Sequence, residues 1–433
     1  MHLPPMDWMV EAIRIPSLTY EGNEEIVRFL TPLLEDCGLT VREQRVQENG
    51  QTFINLIAFS HAPDSPDLLA FHTHLDTVSF GERQDWTKTG GDPFKLTRVR
   101  DRLYGLGSAD VKLDFLCKIW AAKHSRPWGR PIALIGSYGE ERGLVGAQKL
   151  LEAHQVRPKF TLVGEPSELS LVFAHKGHMV YTLRLALSPT GQATRERQWK
   201  GKAAHSSTPQ LGVNALNKGL TDIFKRGLGI VSLDAGTDTN RIPDRCTATV
   251  VDGQTAATTS LFHLFHYFEE LNHDFKKRRD NRFNPASSTL SVNRVITRDG
   301  ALHLSFDVRG LPDLDLYRLQ KKIETQVKDW GFETEEFSID APLKGRRDSP
   351  FMRLASQSLK AAGHKKIVKA TKASSTEAAL YQQHGSEAIV FGPGVSIGNV
   401  HRPNEFNSLS QIRIATRFYT EMMRSRPGAE QDN

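Results

Sequence analysis

The residues of this 433-residue chain best suited to chemistry are histidines and carboxylates that close short apolar runs. In chain order they are His74 and Asp76 in FHTHLDTV, Asp110 in YGLGSADVK, Glu140 and Glu141 in GSYGEERG, Glu165 in VGEPS, and His401 in GNVHRPNEF. Taken singly, such residues are more often structural histidines or surface carboxylates. Together, each closing a buried run or a glycine turn, they are hard to explain as solvation. Imidazoles combined with carboxylates suit zinc, with cobalt or manganese able to compete. A carboxylate can bridge two metals about 3.5–4 Å apart, so one side chain can serve both ions. On an extended strand end His74 and Asp76 point the same way. Asp76 can then hold the ring nitrogen of His74 that faces away from a metal. The side chains of Glu140 and Glu141 diverge, so one can bind metal while the other accepts a proton. Metal-assisted hydrolysis needs that division of labour.

Apolar patterning indicates the elements that must position these groups. Residues 8–35 carry Ile26, Phe29, Leu30, Leu33 and Leu34 at helical spacing, with Gly38 as the stop. The runs TVREQRV, FINLIAF and LLAFHTHL read as strands, Phe115–Lys123 as a helix, and PIALIGSYG and FTLVGEP as further strands. Alternating strands and helices, with polar residues where the apolar runs end, predict an α/β sheet with its site at the strand C-termini. From Lys176 the character changes. Tyr181, Leu183, Leu185 and Leu187 alternate, as do Leu302, Leu304, Phe306 and Val308, while residues 212–228, 258–279 and 316–330 are amphipathic helices. That stretch reads as strands covered on one side by helices. After residue 341 the α/β character returns, with AIVFGPG as a buried strand and a last helix over Ser410–Met423.

The ordered motifs HLD, GxGxxDxK, GEE, GEPS, GxAAHSSxPxxGxNA, DVR and GPG…H run nearly end to end. The set resembles the di-zinc hydrolase family that includes acetylornithine deacetylase, succinyl-diaminopimelate desuccinylase and glutamate carboxypeptidase. The resemblance implies an α/β zinc-hydrolase catalytic domain, a mixed sheet flanked by helices, formed by residues 1–175 and 341–433. It is interrupted by an inserted α+β, ferredoxin-like lid and dimerisation domain over residues 176–340. By the same resemblance His74 and Glu165 bind one zinc, Glu141 and His401 the other, and Asp110 bridges them. Asp76 orients His74, and Glu140 is the general base for a water bridging the metals. His205, in GKAAHSSTPQLGVNAL, stabilises the oxyanion, reaching in from the partner subunit in dimeric relatives. Arg309, in FDVRG, binds the substrate carboxylate; it lies on the polar face of its strand, opposite Phe306 and Val308. Read without the family, the alternatives are a helix cap for the HSSTP segment and a strand-edge ion pair for Arg309. Glycines 105 and 107 read as a tight turn presenting Asp110 rather than as a phosphate loop.

The chain departs from the family at several points. Leu113 and Asp114 stand where small residues are usual. His72 precedes the ligand pair and points to the same side as His74, as a spectator or an alternative ligand. The TNRIPD segment with Asn240 comes well before DVR, and the loop 188–200 is long. Glutamate at 165 resembles the deacylases and carboxypeptidases, and SSTEAALY (Ser374 to Tyr381) the acetylornithine deacetylase branch. The implied reaction is deacylation of a small N-acyl amino acid with a free α-carboxylate. The alternative is a carboxypeptidase or dipeptidase with the same two zinc ions acting on a short peptide.

Composition narrows the remaining classes. Hydrophobic residues at 39% and charged residues at 24% exclude a disordered, collagen-like or coiled-coil chain. The net charge of +6 is weak for this length, and the one dense basic run, Lys276–Arg279 between Asp274 and Asp280, reads as a solvated helix end. Nucleic acid is therefore not expected as a partner. Three scattered cysteines signal neither a disulfide framework nor a thiolate metal site. No apolar run approaches the ~20 residues of a membrane helix, and the N-terminus lacks a signal-type apolar stretch. The expectation is a cytoplasmic homodimer joined through the lid, with no membrane partner.

Overall fold

The computed structural model describes residues 3–189, 191–204 and 206–428. It has two compact units. One comprises Met1–Ala174, Leu343–Ala370 and Thr376–Asn433; the other, His175–Pro342 and Thr371–Ser375.

The first unit is built on a mixed nine-stranded sheet. At its centre Ile132–Ser137, Leu69–His74, Phe160–Val163 and Glu387–Val390 run parallel, side by side. Their residues are almost all buried, as expected of continuous apolar runs covered on both faces. Thr40–Glu48 and Gln51–Phe59 form an antiparallel hairpin. Its two turn residues, Asn49 (φ 50°) and Gly50 (φ 75°), both adopt the left-handed conformation that such tight turns require. The helices Lys112–His124 and Leu409–Arg424 pack on one another.

The apolar spacing over residues 8–35 predicts one helix, but the chain forms two, Met6–Arg14 and Glu24–Asp36. Pro16 is the cause: it disfavours helix at the residue before it, and Ile15 is extended. The break braces the site. Ser17 Oγ donates to Leu75 O at 2.6 Å. Thr77 N donates to Ser17 O and Thr19 N to Thr77 O, each at 2.9 Å, just beyond His74.

The second unit holds a seven-stranded sheet whose strands pair antiparallel throughout. The helices Ala215–Lys225, Ala256–Lys277 and Leu316–Lys328 bury apolar stripes such as Leu216, Leu220 and Ile223 in one cluster with Tyr181, Leu183, Phe306 and Val308. Each such fully buried side chain contributes about 1.5–3 kcal/mol relative to exposure. The segment 188–200, expected as a long loop, instead contains an edge strand, Arg195–Lys200, paired with Arg245–Asp252. Its RERQWK sequence hides the strand because an exposed edge tolerates, and is protected by, charge. The basic run at Lys276 lies at a helix end, with Lys277 Nζ 2.7 Å from Asp274 Oδ1. No helix among the described residues is long and apolar enough to cross a membrane.

Candidate active site

Three neighbouring parallel strands deliver site residues at their C-terminal ends. His74 closes Leu69–His74, Glu140 and Glu141 follow Ile132–Ser137, and Glu165 follows Phe160–Val163. Asp110 sits in the turn opened by Gly105 and Gly107. Gly107 has a φ of 79°, and Lys112 N donates to Gly107 O at 2.9 Å, so the glycines serve a turn. His401 adopts a φ of 58°, a region that non-glycine residues seldom occupy.

The two oxygens of Asp110 face different imidazoles. Oδ1 lies 3.2 Å from His74 Nε2, and Oδ2 lies 3.2 Å from His401 Nε2. His74 Nε2 is also 3.8 Å from Glu165 Oε1, and His401 Nε2 is 2.8 Å from Glu141 Oε1. Two donor groups able to hold an ion therefore share Asp110: His74, Asp110 and Glu165, and Asp110, Glu141 and His401. A third group, His74 with Glu140 and Glu141, overlaps them. In each group the ligand atoms lie within 4.8 Å of one another. Nitrogen and oxygen donors this close, with one carboxylate between two sets, fit a pair of divalent cations.

Asp76 meets His74 through both its main chain and its carboxylate. The strand ends at His74, so the His74 Nδ1 contact is to the Asp76 main-chain carbonyl at 3.0 Å, with the carboxylate at 3.5 Å. The carboxylate also accepts two successive backbone N–H groups, from Glu140 at 3.1 Å and Glu141 at 3.2 Å. It thereby fixes the turn that carries both glutamates.

The electrostatics favour positive charge at the centre. Burial opposes a charged His401 ring, but Glu141 and Asp110 outweigh it and raise its pKa to about 12. His74 is likewise buried, yet its contacts with Asp110 and Asp76 hold it well above 6.5. Asp110 is held below its ordinary value because the two histidines outweigh burial. Glu140 is pushed well above 4.5 by burial, and by Glu141, Glu165 and Glu377 against the charge of His74. A cluster that draws protons onto both imidazoles is one in which a divalent cation is strongly stabilised.

Two acidic residues of the site were not singled out from sequence. Glu405, in the HRPNEF motif, accepts the backbone N–H groups of Ala109 at 2.8 Å and Asp110 at 3.0 Å, and so holds the Asp110 turn. Burial and the nearby Asp110 charge raise it to about 8. Glu377, in SSTEAALY, is fully buried against His72. Glu377 is the one charged residue in SSTEAALY, and that was the available signal. His72 belongs to none of the groups able to hold an ion among the described residues.

In the second unit Arg309 is only 4% exposed, on the interior strand Ala301–Gly310. Its Nη2 lies 3.1 Å from Asp307 Oδ2 and 3.4 Å from Ser206 Oγ, and its buried Nε has no hydrogen-bond partner among the described residues. The ion pair is real, but it is not at a strand edge. Asn240 accepts the Ser206 N–H through its main-chain carbonyl at 2.8 Å. His205 lies outside the described residues.

Residues 70–425 match the model of Peptidase family M20/M25/M40. An acetylornithine deacetylase of Vibrio cholerae is 27% identical over 419 residues, covering 93% of this chain and 92% of that protein. One of Pectobacterium carotovorum is 28% identical over 437 residues, covering 98% of each. In fold, the chain is similar to an M20 family metallo-carboxypeptidase from Sulfolobus solfataricus, with a TM-score of 0.66 and 17% identity over 97% of this chain and 98% of that one. Because the family match takes in every strand end and turn that carries a metal-capable side chain, this chain belongs to peptidase family M20/M25/M40 and is an amide-bond hydrolase.

Proposed function

We propose that this protein removes the acyl group from a small N-acyl amino acid with a free α-carboxylate, using two zinc ions. His74, Asp110 and Glu165 would hold one ion; Asp110, Glu141 and His401 would hold the other. The observation carrying this reading is the division of the Asp110 carboxylate between His74 and His401, each at 3.2 Å. When bound, such ions polarise the scissile carbonyl and acidify a water between them. Glu140 accepts the proton of the attacking water and returns it to the departing amine; one residue serves both steps because the first supplies the proton for the second. Asp76 keeps Glu140 in place through its backbone. Arg309, with Nη2 committed to Asp307 and Ser206 and Nε without a partner among the described residues, has donors for the substrate carboxylate. His205 is assigned to the oxyanion on the family motif alone.

The deacylase reading is supported by the similarity to acetylornithine deacetylases over most of the chain. The test is release of free α-amine from N-acetyl, N-succinyl and N-formyl amino acids and from dipeptides, with zinc or cobalt and again after chelation. Chelator-sensitive release from one acyl class is the expected result. Release from dipeptides alone, or none from protein that binds two metals, would overturn the deacylase assignment.

A further inference from the structure

Beneath His74, on the same face of the same strand, His72 enters a polar cluster closed to solvent. His72, Ser137, Glu377 and Tyr381 are all fully buried. His72 Nδ1 lies 2.7 Å from Tyr381 Oη, and Nε2 lies 3.0 Å from Ser137 Oγ and 2.6 Å from Glu377 Oε2. Ser137 Oγ donates to Glu377 Oε1 at 2.7 Å. The Ser137 contact is the aligned hydrogen bond of Nε2. Glu377 Oε2 lies against the same ring nitrogen, so His72 meets both Ser137 and Glu377 through Nε2.

Stability alone does not account for this cluster. Desolvating a carboxylate and an imidazole costs several kcal/mol per ion, and apolar packing of the same volume is often as stable or more so. What the four residues share is position. His72 is two residues before His74, and Ser137 is the register partner of His74 across the parallel pair. Ser137 also ends the strand that leads into Glu140 and Glu141. Glu377 and Tyr381 come from a third segment, where Glu377 precedes the helix Ala378–Gln383. The cluster therefore ties together the ends of two strands that supply three of the groups facing the metal centre. The charge of Glu377 is also felt at Glu140, and that of His74 at Glu377.

We propose that Glu377, acting through His72 and Ser137, is a positioning residue that aligns His74 with the Glu140–Glu141 turn for metal binding and turnover. This rests on the metal-centre reading above. Partners that orient metal ligands typically contribute about 10–100-fold to activity or metal affinity.

The test compares wild type with Glu377→Gln, which keeps the shape and removes the charge, both loaded with cobalt. The visible spectrum of bound cobalt reports ligand geometry whether or not a substrate is known. With the best substrate of the acyl-amino-acid panel, kcat and KM are measured alongside the melting temperature. Glu377→Gln is expected to bind cobalt with an altered spectrum and to lose at least about tenfold in kcat, with KM within about threefold. A lowered melting temperature with unchanged spectrum and kcat would mean a purely structural role and overturn the proposal. Should Glu377→Gln not fold, Tyr381→Phe removes only the hydroxyl at His72 Nδ1. The same spectral change, with a smaller kcat loss, is then expected, and an unaltered spectrum overturns the proposal. Wild type that binds no cobalt would remove the metal-centre reading and this inference with it. Wild type that binds two ions beside an indistinguishable Glu377→Gln removes only the inference.

Discussion

His401 Nε2 stands 2.8 Å from Glu141 Oε1, across 260 residues of chain. The contact closes the half of the centre that faces solvent: the His401 side chain is 40% exposed, against 9% for Glu141 and 1% for His74. The two halves should therefore differ in how readily they exchange metal.

His401→Ala is expected to bind one ion rather than two and to lose at least about a hundredfold in turnover. Metal analysis after gel filtration checks this. Two tightly bound ions in the variant would contradict the assignment of His401. In wild type, graded chelation should remove one ion before the other, and added zinc or cobalt should restore activity.

Glu140→Gln separates proton transfer from metal binding. The variant should keep both ions, because its partners in the centre are intact, and lose about 10²–10⁴-fold in kcat. Turnover near that of wild type would remove Glu140 from the mechanism.

Asp114, one of the departures from the family pattern, forms a buried ion pair with Lys118 at 2.8 Å and accepts a hydrogen bond from Tyr419. Lys118 Nζ also donates to His72 O at 2.8 Å. Lys118→Met strands a buried carboxylate and should lower stability by about 3–5 kcal/mol, whereas Asp114→Leu with Lys118→Met should recover most of that loss. Urea midpoints of the three proteins decide. A double variant no more stable than the single would show that the loss is one of packing rather than of charge.

In the second unit His178 Nε2 lies 2.7 Å from Asp307 Oδ2, with Arg309 on Asp307 and Asp340 on the other ring nitrogen at 3.4 Å. Burial and Arg309 act against a charged His178, but Asp307 and Asp340 hold it above 6.5. Burial would raise Asp307, but Arg309 and His178 hold it at about 2 rather than 3.8. A raised histidine stabilises fully below 6.5 and loses its contribution as pH rises through its folded value. A lowered aspartate stabilises fully above 3.8 and loses its contribution as pH falls toward about 2. The pair therefore contributes most between those limits. The melting-temperature gap between wild type and His178→Gln should be widest near pH 5 and narrow as pH rises through the raised folded value of His178. A gap independent of pH would rule the charge pair out.

Much of the site was legible in the sequence because its residues terminate apolar runs, and strand ends are where an α/β sheet exposes side chains. The types of donor, the paired glutamates and the glycine turn before Asp110 needed only local pattern. So did the amphipathic helices at 212–228, 258–279 and 316–330, since a buried stripe imposes the helical period. Local pattern failed where another preference outweighed it. Pro16 divided an apparently continuous helix, and an exposed edge let Arg195–Lys200 be a strand while carrying the charges of a loop. What only the tertiary structure decided are contacts between distant segments. It directed the Asp76 carboxylate to two backbone N–H groups, and brought Glu405 under Asp110 and Glu377 against His72. The periodicity of a strand specifies which face a side chain takes, but its partner on that face is chosen by how the sheet and the loops close.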